Sequence, residues 1–287
     1  MFYDTSSFKK PAPQLRDDRF HALVMLLPRE SKRLLARAIL QVPEVRRVCK
    51  DGWFVISRGV TPAYILEELT GQSTDKANST AGIVTEARLA SVIEEDRLGP
   101  WVFKDGKLSE TPAPEALSLF KSSDVSIKGA NAVDPDGNIG VLAADGAGGT
   151  VGGIWGTLTA RGSHWIAPVS LERLVPSVID AASVCGNHLW DLTMGQAAGF
   201  MPVVNAKVIT EIQALEIMSG VTATHVASGG VAGSEGAVIL SLSGSETVVR
   251  DAFELLEGIK GEEQFDAPRL IPYIREPLSA PKHYQKN

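Results

Sequence analysis

Glycine is crowded into one stretch of the 287-residue chain, and that stretch is where the sequence first suggests chemistry. Residues 129–162 hold 10 of the 27 glycines, among them Gly129, Gly146, Gly148 and Gly149. The run Asp145-Gly-Ala-Gly-Gly-Thr-Val-Gly-Gly153 lies between an apolar segment of strand length and a helix-compatible one. Glycines at such a corner let backbone N–H groups converge and keep side chains out of a ligand's way. The start of the following helix adds partial positive charge, so a phosphate or carboxylate is the natural occupant. Close backbone packing at the end of a sheet would explain the same glycines. The G-x-G-x-x-G dinucleotide fingerprint fails at Val151, and the sequence has neither a G-x-x-x-x-G-K-[ST] loop nor a G-x-S-x-G elbow.

A second corner precedes Pro62. The apolar run Trp53-Phe-Val-Ile56 suits a buried strand, Ser57-Arg-Gly-Val-Thr61 reads as a loop, and residues 62–69 read as a helix. Thr61 can cap that helix, and Pro62 fits its first position because the missing N–H would be unpaired there anyway. Ser57, Arg58, Gly59 and Thr61 are the ligand-binding candidates of this corner, with Arg58 offering a forked grip on phosphate oxygens.

Other constellations carry less. Asp134-Pro-Asp-Gly-Asn138 imitates the start of a calcium loop, but Ile139 stands where that loop needs glycine, and a tight turn explains the same residues. Cys185, His188 and Asp191 have metal-like spacing without a second pair nearby, so no metal or other cofactor is expected. His164 and His225 read as packing or loop histidines.

These corners need elements to hold them. Hydrophobic residues make up 44% of the chain and charged residues 22%, a globular balance that excludes wholesale disorder. The net charge of −6 argues against nucleic acid as a partner. No apolar run approaches the roughly 20 residues that span a bilayer, so no membrane partner is expected. Cys49 and Cys185 are the only cysteines, which fits a reducing compartment. With no signal peptide evident, the cytoplasm is the expected location.

Residues 1–50 read as a polar arm followed by two helices, the first carrying Phe20, Leu23, Val24 and Leu27 at helical spacing. Arg29, Lys32, Arg33 and Arg37 make the second basic, as a solvated face or as an anion or partner patch. Residues 51–182 alternate strands with helices and include a hairpin turning at Asp105-Gly106. This predicts an α/β ligand-binding core with a mostly parallel sheet flanked by helices. Residues 183–260 follow a β-α-β-β-α order and read as a small ferredoxin-like α+β subdomain. Residues 261–287 read as an irregular tail.

Two segments together resemble one superfamily. Residues 53–69, with Ser-Arg-Gly-Val-Thr-Pro between strand and helix, are similar to the first phosphate loop of ribose-5-phosphate isomerase A and glucosamine-6-phosphate deaminase. Residues 124–140 and the glycine run behind them resemble the D-G-A-D-E strand end and K-G-G-G-G loop of that isomerase. They equally resemble the G-A-D-R and N-G segment of methylthioribose-1-phosphate isomerase and translation initiation factor 2B subunits. The likeness covers about residues 50–180. It implies an isomerase/CoA-transferase-like sheet whose strand ends bind a sugar phosphate or CoA-type ligand.

The chain departs from that pattern at the charged positions. Lys128 and Asn131 stand where the isomerase pattern has two aspartates, and Asp145 stands nearest its loop lysine. Asparagine cannot act as the base of an aldose–ketose isomerisation, so the inherited mechanism is not expected to operate. The exchange of charge implies that Lys128 and Asp145 face each other. They would form either a neutralising structural pair or two sides of a ligand, with Lys128 holding its anion and Asp145 acting as base.

The expectation is a protein that binds a small phosphorylated or acidic metabolite. Its ligand-binding candidates are Ser57, Arg58, Gly59, Thr61, Gly129, Asn131, Gly146, Gly148, Gly149 and Thr150, and its candidates for chemistry are Asp145, Lys128 and Asp134. The alternative is a regulatory or oligomerisation protein like the initiation-factor subunits. Either reading expects a homodimer or a larger homo-oligomer.

Overall fold

A computed structural model describes residues 1–272. The regular structure opens with β1 (Phe20–Leu26), α1 (Pro28–Ile39) and α2 (Pro43–Val48), both helices starting at a proline that suits the first turn. β2 (Trp53–Ile56) runs through a tight corner into α3 (Val60–Thr70). Next come the hairpin of β3 (Gly82–Thr85) with β4 (Arg88–Ser91) and that of β5 (Trp101–Lys104) with β6 (Lys107–Ser109). The second hairpin turns at Asp105 and Gly106, with φ of 50° and 77°, as a two-residue connection of this kind demands.

The middle of the chain supplies α4 (Ala113–Ser118), β7 (Val125–Ile127), β8 (Ala132–Val133), β9 (Ile139–Ala143), α5 (Gly149–Arg161), β10 (His164–Pro168) and α6 (Val178–Ser183). The last third adds β11 (Gly199–Val203), β12 (Lys207–Ile209), α7 (Glu211–Ser219), β13 (Thr222–Ser228), β14 (Val238–Gly244) and α8 (Glu246–Glu257).

The central sheet has six strands in the order β12-β10-β7-β2-β5-β6. β12, β10, β7 and β2 are parallel, whereas β5 and β6 continue antiparallel, so the sheet is mixed and the architecture α/β. Alternate side chains feed two cores. Phe54, Ile56, Val125, Ile127, Ile166 and Ile209 point to the side covered by α1, α3 and α7. Val55, Trp165, Ala167 and Val208 point to the side covered by α4 and α5. Burial on both faces explains why these strands read as unbroken apolar runs. Each fully buried Ile or Phe contributes roughly 2 kcal/mol of transfer free energy.

Several expectations are corrected here. Phe20–Leu26 is a strand, not a helix, and pairs antiparallel with β14. Its inward residues Val24 and Leu26 alternate with Leu23 and Met25, which stay exposed; apolar residues on both faces produced the helical spacing. β9 leaves the central sheet and forms an antiparallel sheet with β8 and β11, which reduces the parallel content below expectation.

After residue 183 the order is β-β-α-β-β-α: β11, not expected from the sequence, joins β9, and β12, expected to open the subdomain, joins the central sheet. β13 and β14 instead take β1 as their third strand. Val24, Leu240 and Val249 of that layer share one apolar core with Phe54 and Ile127. The basic side of α1 is not simply solvated. Arg33 pairs with Glu67, Glu68 and Glu262 at 2.8–3.0 Å, and Lys32 with Glu172 at 3.3 Å.

The N-terminal arm pairs with β12 through Tyr3 N–H to the Val208 carbonyl at 2.8 Å. The tail, as far as residue 272, runs beside β4, where the Ile271 N–H donates to the Ser91 carbonyl at 2.8 Å. The rest of the tail, residues 273–287, lies outside the described residues. Among the described residues no helix is long and apolar enough to cross a membrane.

Candidate functional site

The corner between β2 and α3 is shaped by Gly59. Its φ of +152° is one that residues with a side chain rarely adopt, and its N–H donates to the Ser79 carbonyl at 2.7 Å. Ala63 N–H donates back to the Gly59 carbonyl at 3.0 Å, the first helical bond of α3. The N–H groups of Val60 and Thr61 precede that bond and are the helix's free donors, Pro62 having none.

The corner between β9 and α5 is built differently. Asp145 Oδ1 accepts the N–H groups of Ala147 at 2.8 Å and Gly149 at 3.0 Å, closing the turn from within. Those hydrogen bonds hold the Asp145 carboxyl below the usual carboxylate range. Gly148 caps α5 in the left-handed region, φ +82°, with Met201 Cε 3.0 Å from where a Cβ would sit. A Cβ on Gly152 would lie 1.7 Å from the Ala147 carbonyl oxygen, so this glycine is required by the loop's own backbone. Thr150 and Val151 N–H are the donors that α5 leaves open.

Both corners line one cleft of about 1070 Å³. It is large for a small-molecule site and leaves room for an extended metabolite. Gly59, Val60, Thr61 and Pro62 come from the first corner, and Asp145, Gly148, Gly149, Thr150 and Val151 from the second. Lys128 and Gly129 enter at the end of β7, with Asn131 next to them. Part of Asn131 is committed to the fold, since its Oδ1 accepts the Leu142 N–H at 3.0 Å.

Cations dominate the lining. Arg58 Nε donates to the Leu98 carbonyl at 3.1 Å and Arg97 Nε to the Val92 carbonyl at 2.9 Å. Among the described residues, neither guanidinium has a carboxylate in ion-pair range. Burial, and then the neighbouring Arg97, push the Arg58 group downward, and Glu94 offsets this only in part. Arg173 also lines the cleft; it donates to the Ala130 carbonyl and stands 3.5 Å from Glu172. Lys128 is half-buried and has no hydrogen-bond or ion-pair partner for its ammonium among the described residues. Burial, reinforced by Arg173, pushes its amine down to about 8. Glu235, Glu263 and Asp266 supply the remaining acidic lining, besides Asp145.

The cleft thus gathers Arg58, Gly59, Thr61, Lys128, Gly129, Asn131, Asp145, Gly148, Gly149 and Thr150. Three candidates fall outside its lining. Ser57 is buried behind the corner, its N–H donating to the Ile127 carbonyl at 2.9 Å. Gly146 sits at the outer side of its turn with open space around it. Asp134 is buried and saturated: it accepts the N–H groups of Asp136, Asn138 and Val178 and the Asn138 side-chain amide, at 2.9–3.1 Å. It locks a turn and is not free for proton transfer.

Of the two arrangements expected for Lys128 and Asp145, the direct ion pair is not found among the described residues: Asp145 Oδ1 is turned into its own loop, and the charge acting on Lys128 is that of Arg173. Arg97 and Arg173 each sit beside acids in sequence, Glu94-Glu95-Asp96 and Glu172, where charges look like solvated pairs, so no local signal in the sequence marks their place in the cleft. Among the described residues no cluster of His, Cys, Asp or Glu suits a metal ion. No family model, curated protein or solved structure matches the chain.

Proposed function

We propose that the cleft binds a small phosphorylated or acidic metabolite, such as a sugar phosphate or CoA-type ligand. One observation carries this reading: two helix starts and the guanidinium groups of Arg58 and Arg97, which have no ion-pair partner among the described residues, line the same cavity. Unpaired charges in a partly dry cleft cost free energy, and an anion accepting charge-assisted hydrogen bonds offsets that cost. The free N–H groups of Val60, Thr61, Thr150 and Val151 add donors aimed by helix geometry. The polar body of the metabolite would lie over Lys128, Gly129 and Asn131.

The same meeting of a β2–α3 corner with a glycine loop is what supports kinship with the sugar-phosphate isomerase and CoA-transferase superfamily. The departures at Lys128, Asn131 and Asp145 point away from that superfamily's enediol chemistry. Two free thiols fit a protein of the cytoplasm.

A thermal-shift screen with sugar phosphates, nucleoside phosphates and CoA esters tests the reading. A ligand that binds only the folded state raises the melting temperature with its concentration. A phosphate-dependent rise that Arg58→Ala abolishes is expected. No response to any of these anions contradicts the proposal.

A further inference from the structure

Lys128 stands out among the cleft's cations. Lys32 is neutralised by Glu172, and Arg58, Arg97 and Arg173 are each anchored to backbone carbonyls. The Lys128 ammonium has none of these ties among the described residues, yet it lies in the wall of the same cavity. Its backbone is fixed, since the Lys128 N–H donates to the Ile166 carbonyl at 3.3 Å at the end of β7. Gly129 follows it with no side chain to block approach, its backbone packed against the Pro168 carbonyl. The charged groups lining the cavity around it are Arg29, Lys32, Arg58, Arg97 and Arg173 on one sign and Asp145, Glu235, Glu263 and Asp266 on the other.

We infer that Lys128 is a nucleophile which forms a reversible imine with an aldehyde or ketone whose phosphate is held by the Arg58–Arg97 corner. The inference rests on the anion-binding reading and narrows it to phosphorylated carbonyl compounds. A lysine becomes a nucleophile when desolvation or a neighbouring cation makes its neutral form accessible, and Lys128 has both, through its burial and Arg173.

The step balances without any further reactant. The Nζ lone pair of the neutral amine adds to the carbonyl carbon, and the carbonyl π pair moves to oxygen, which takes up a proton. The carbinolamine then expels that oxygen as water once it gains a second proton, one of the two having come from nitrogen. Overall the lysine ammonium and the carbonyl give a protonated imine and one water. A grip on the phosphate serves the reaction by holding the carbonyl carbon near Nζ, turning a bimolecular encounter into an intramolecular one.

Pyridoxal 5′-phosphate is a suitable probe because it joins an aldehyde to a phosphate, and pyridoxal is its control without the phosphate. The full chain would be incubated with each and reduced with borohydride, which converts the imine to a stable secondary amine. Peptide mass spectrometry would then give the labelling rate at every lysine. The expected result is preferential labelling of Lys128 by pyridoxal 5′-phosphate, slowed by inorganic phosphate and by Arg58→Ala. The phosphate-free control should label it about tenfold more slowly. The Lys128 rate should also rise through about pH 8, below the range of ordinary lysines.

If Lys128 is labelled no faster than other lysines while inorganic phosphate still raises the melting temperature, the nucleophile is refuted and the anion site survives. If both aldehydes label Lys128 equally and phosphate has no effect on either measurement, the phosphorylated class and the anion site fail together.

Discussion

Asp145 Oδ1 and the Gly149 N–H meet at 3.0 Å, so the acid that the sequence marks as a base also closes the turn into α5 and holds its first N–H. The bond also takes up a donor that a ligand would otherwise use. Asparagine caps a helix about as well as aspartate, whereas alanine does not. Asp145→Asn should therefore leave the melting temperature nearly unchanged, and Asp145→Ala should lower it. Removing a negative charge from the cleft should also make Asp145→Asn bind inorganic phosphate more tightly than the parent chain. A strong loss of phosphate affinity in Asp145→Asn would return the residue to the ligand.

Lys128 should cost the fold stability. Its amine is lowered in the native state, so between about pH 8 and the ordinary lysine range near 10.5 the unfolded chain binds more protons than the folded one. Stability linked to this group consequently rises with pH across that window and is lowest below it. Lys128→Met should stabilise the protein at pH 7 by roughly 2 kcal/mol, with the gain shrinking as pH approaches 10. Urea unfolding at several pH values checks both the sign and the window.

Asp134 is a structural acid. Asp134→Ala strands three backbone N–H groups and should destabilise the chain by roughly 3 kcal/mol, read from urea unfolding. Burial opposes ionisation of this carboxyl, but its hydrogen bonds outweigh that and hold it below the usual range. Its contribution is present above the ordinary aspartate pKa and is lost as pH falls through the lower, native one.

The glycines of α5 divide into two kinds. Gly152→Ala would drive a methyl into the Ala147 carbonyl and should cost roughly 2 kcal/mol. Gly153 and Gly156 are exposed, helical and have open space around an added Cβ. Gly153→Ala and Gly156→Ala should each stabilise by about 1 kcal/mol through helix propensity alone. Thermal unfolding of the three variants separates the two kinds.

Local apolar pattern explains what was legible beforehand. The strands β2, β7 and β10, the Asp105-Gly106 hairpin and the Pro62 helix each announce themselves within a few residues, and so do the two corners that line the cleft. What was hidden depends on distance along the chain. β1 carries Leu23 and Met25 on its open face, and its true partner, β14, lies more than two hundred residues away. Arg97 and Arg173 reach the cleft from segments whose local chemistry is unremarkable. An acid in a glycine loop suits a base and a turn-closing acceptor equally in sequence, and only the backbone path shows that Asp145 Oδ1 takes the second role.

The central claim is that the cleft binds a phosphate-type anion at the Arg58–Arg97 corner. Anomalous diffraction from crystals soaked in tungstate, an electron-dense phosphate mimic, tests it most directly. A strong peak in the cleft within hydrogen-bond distance of the Arg58 guanidinium is the expected result. An empty cleft in crystals that bind tungstate elsewhere would contradict it.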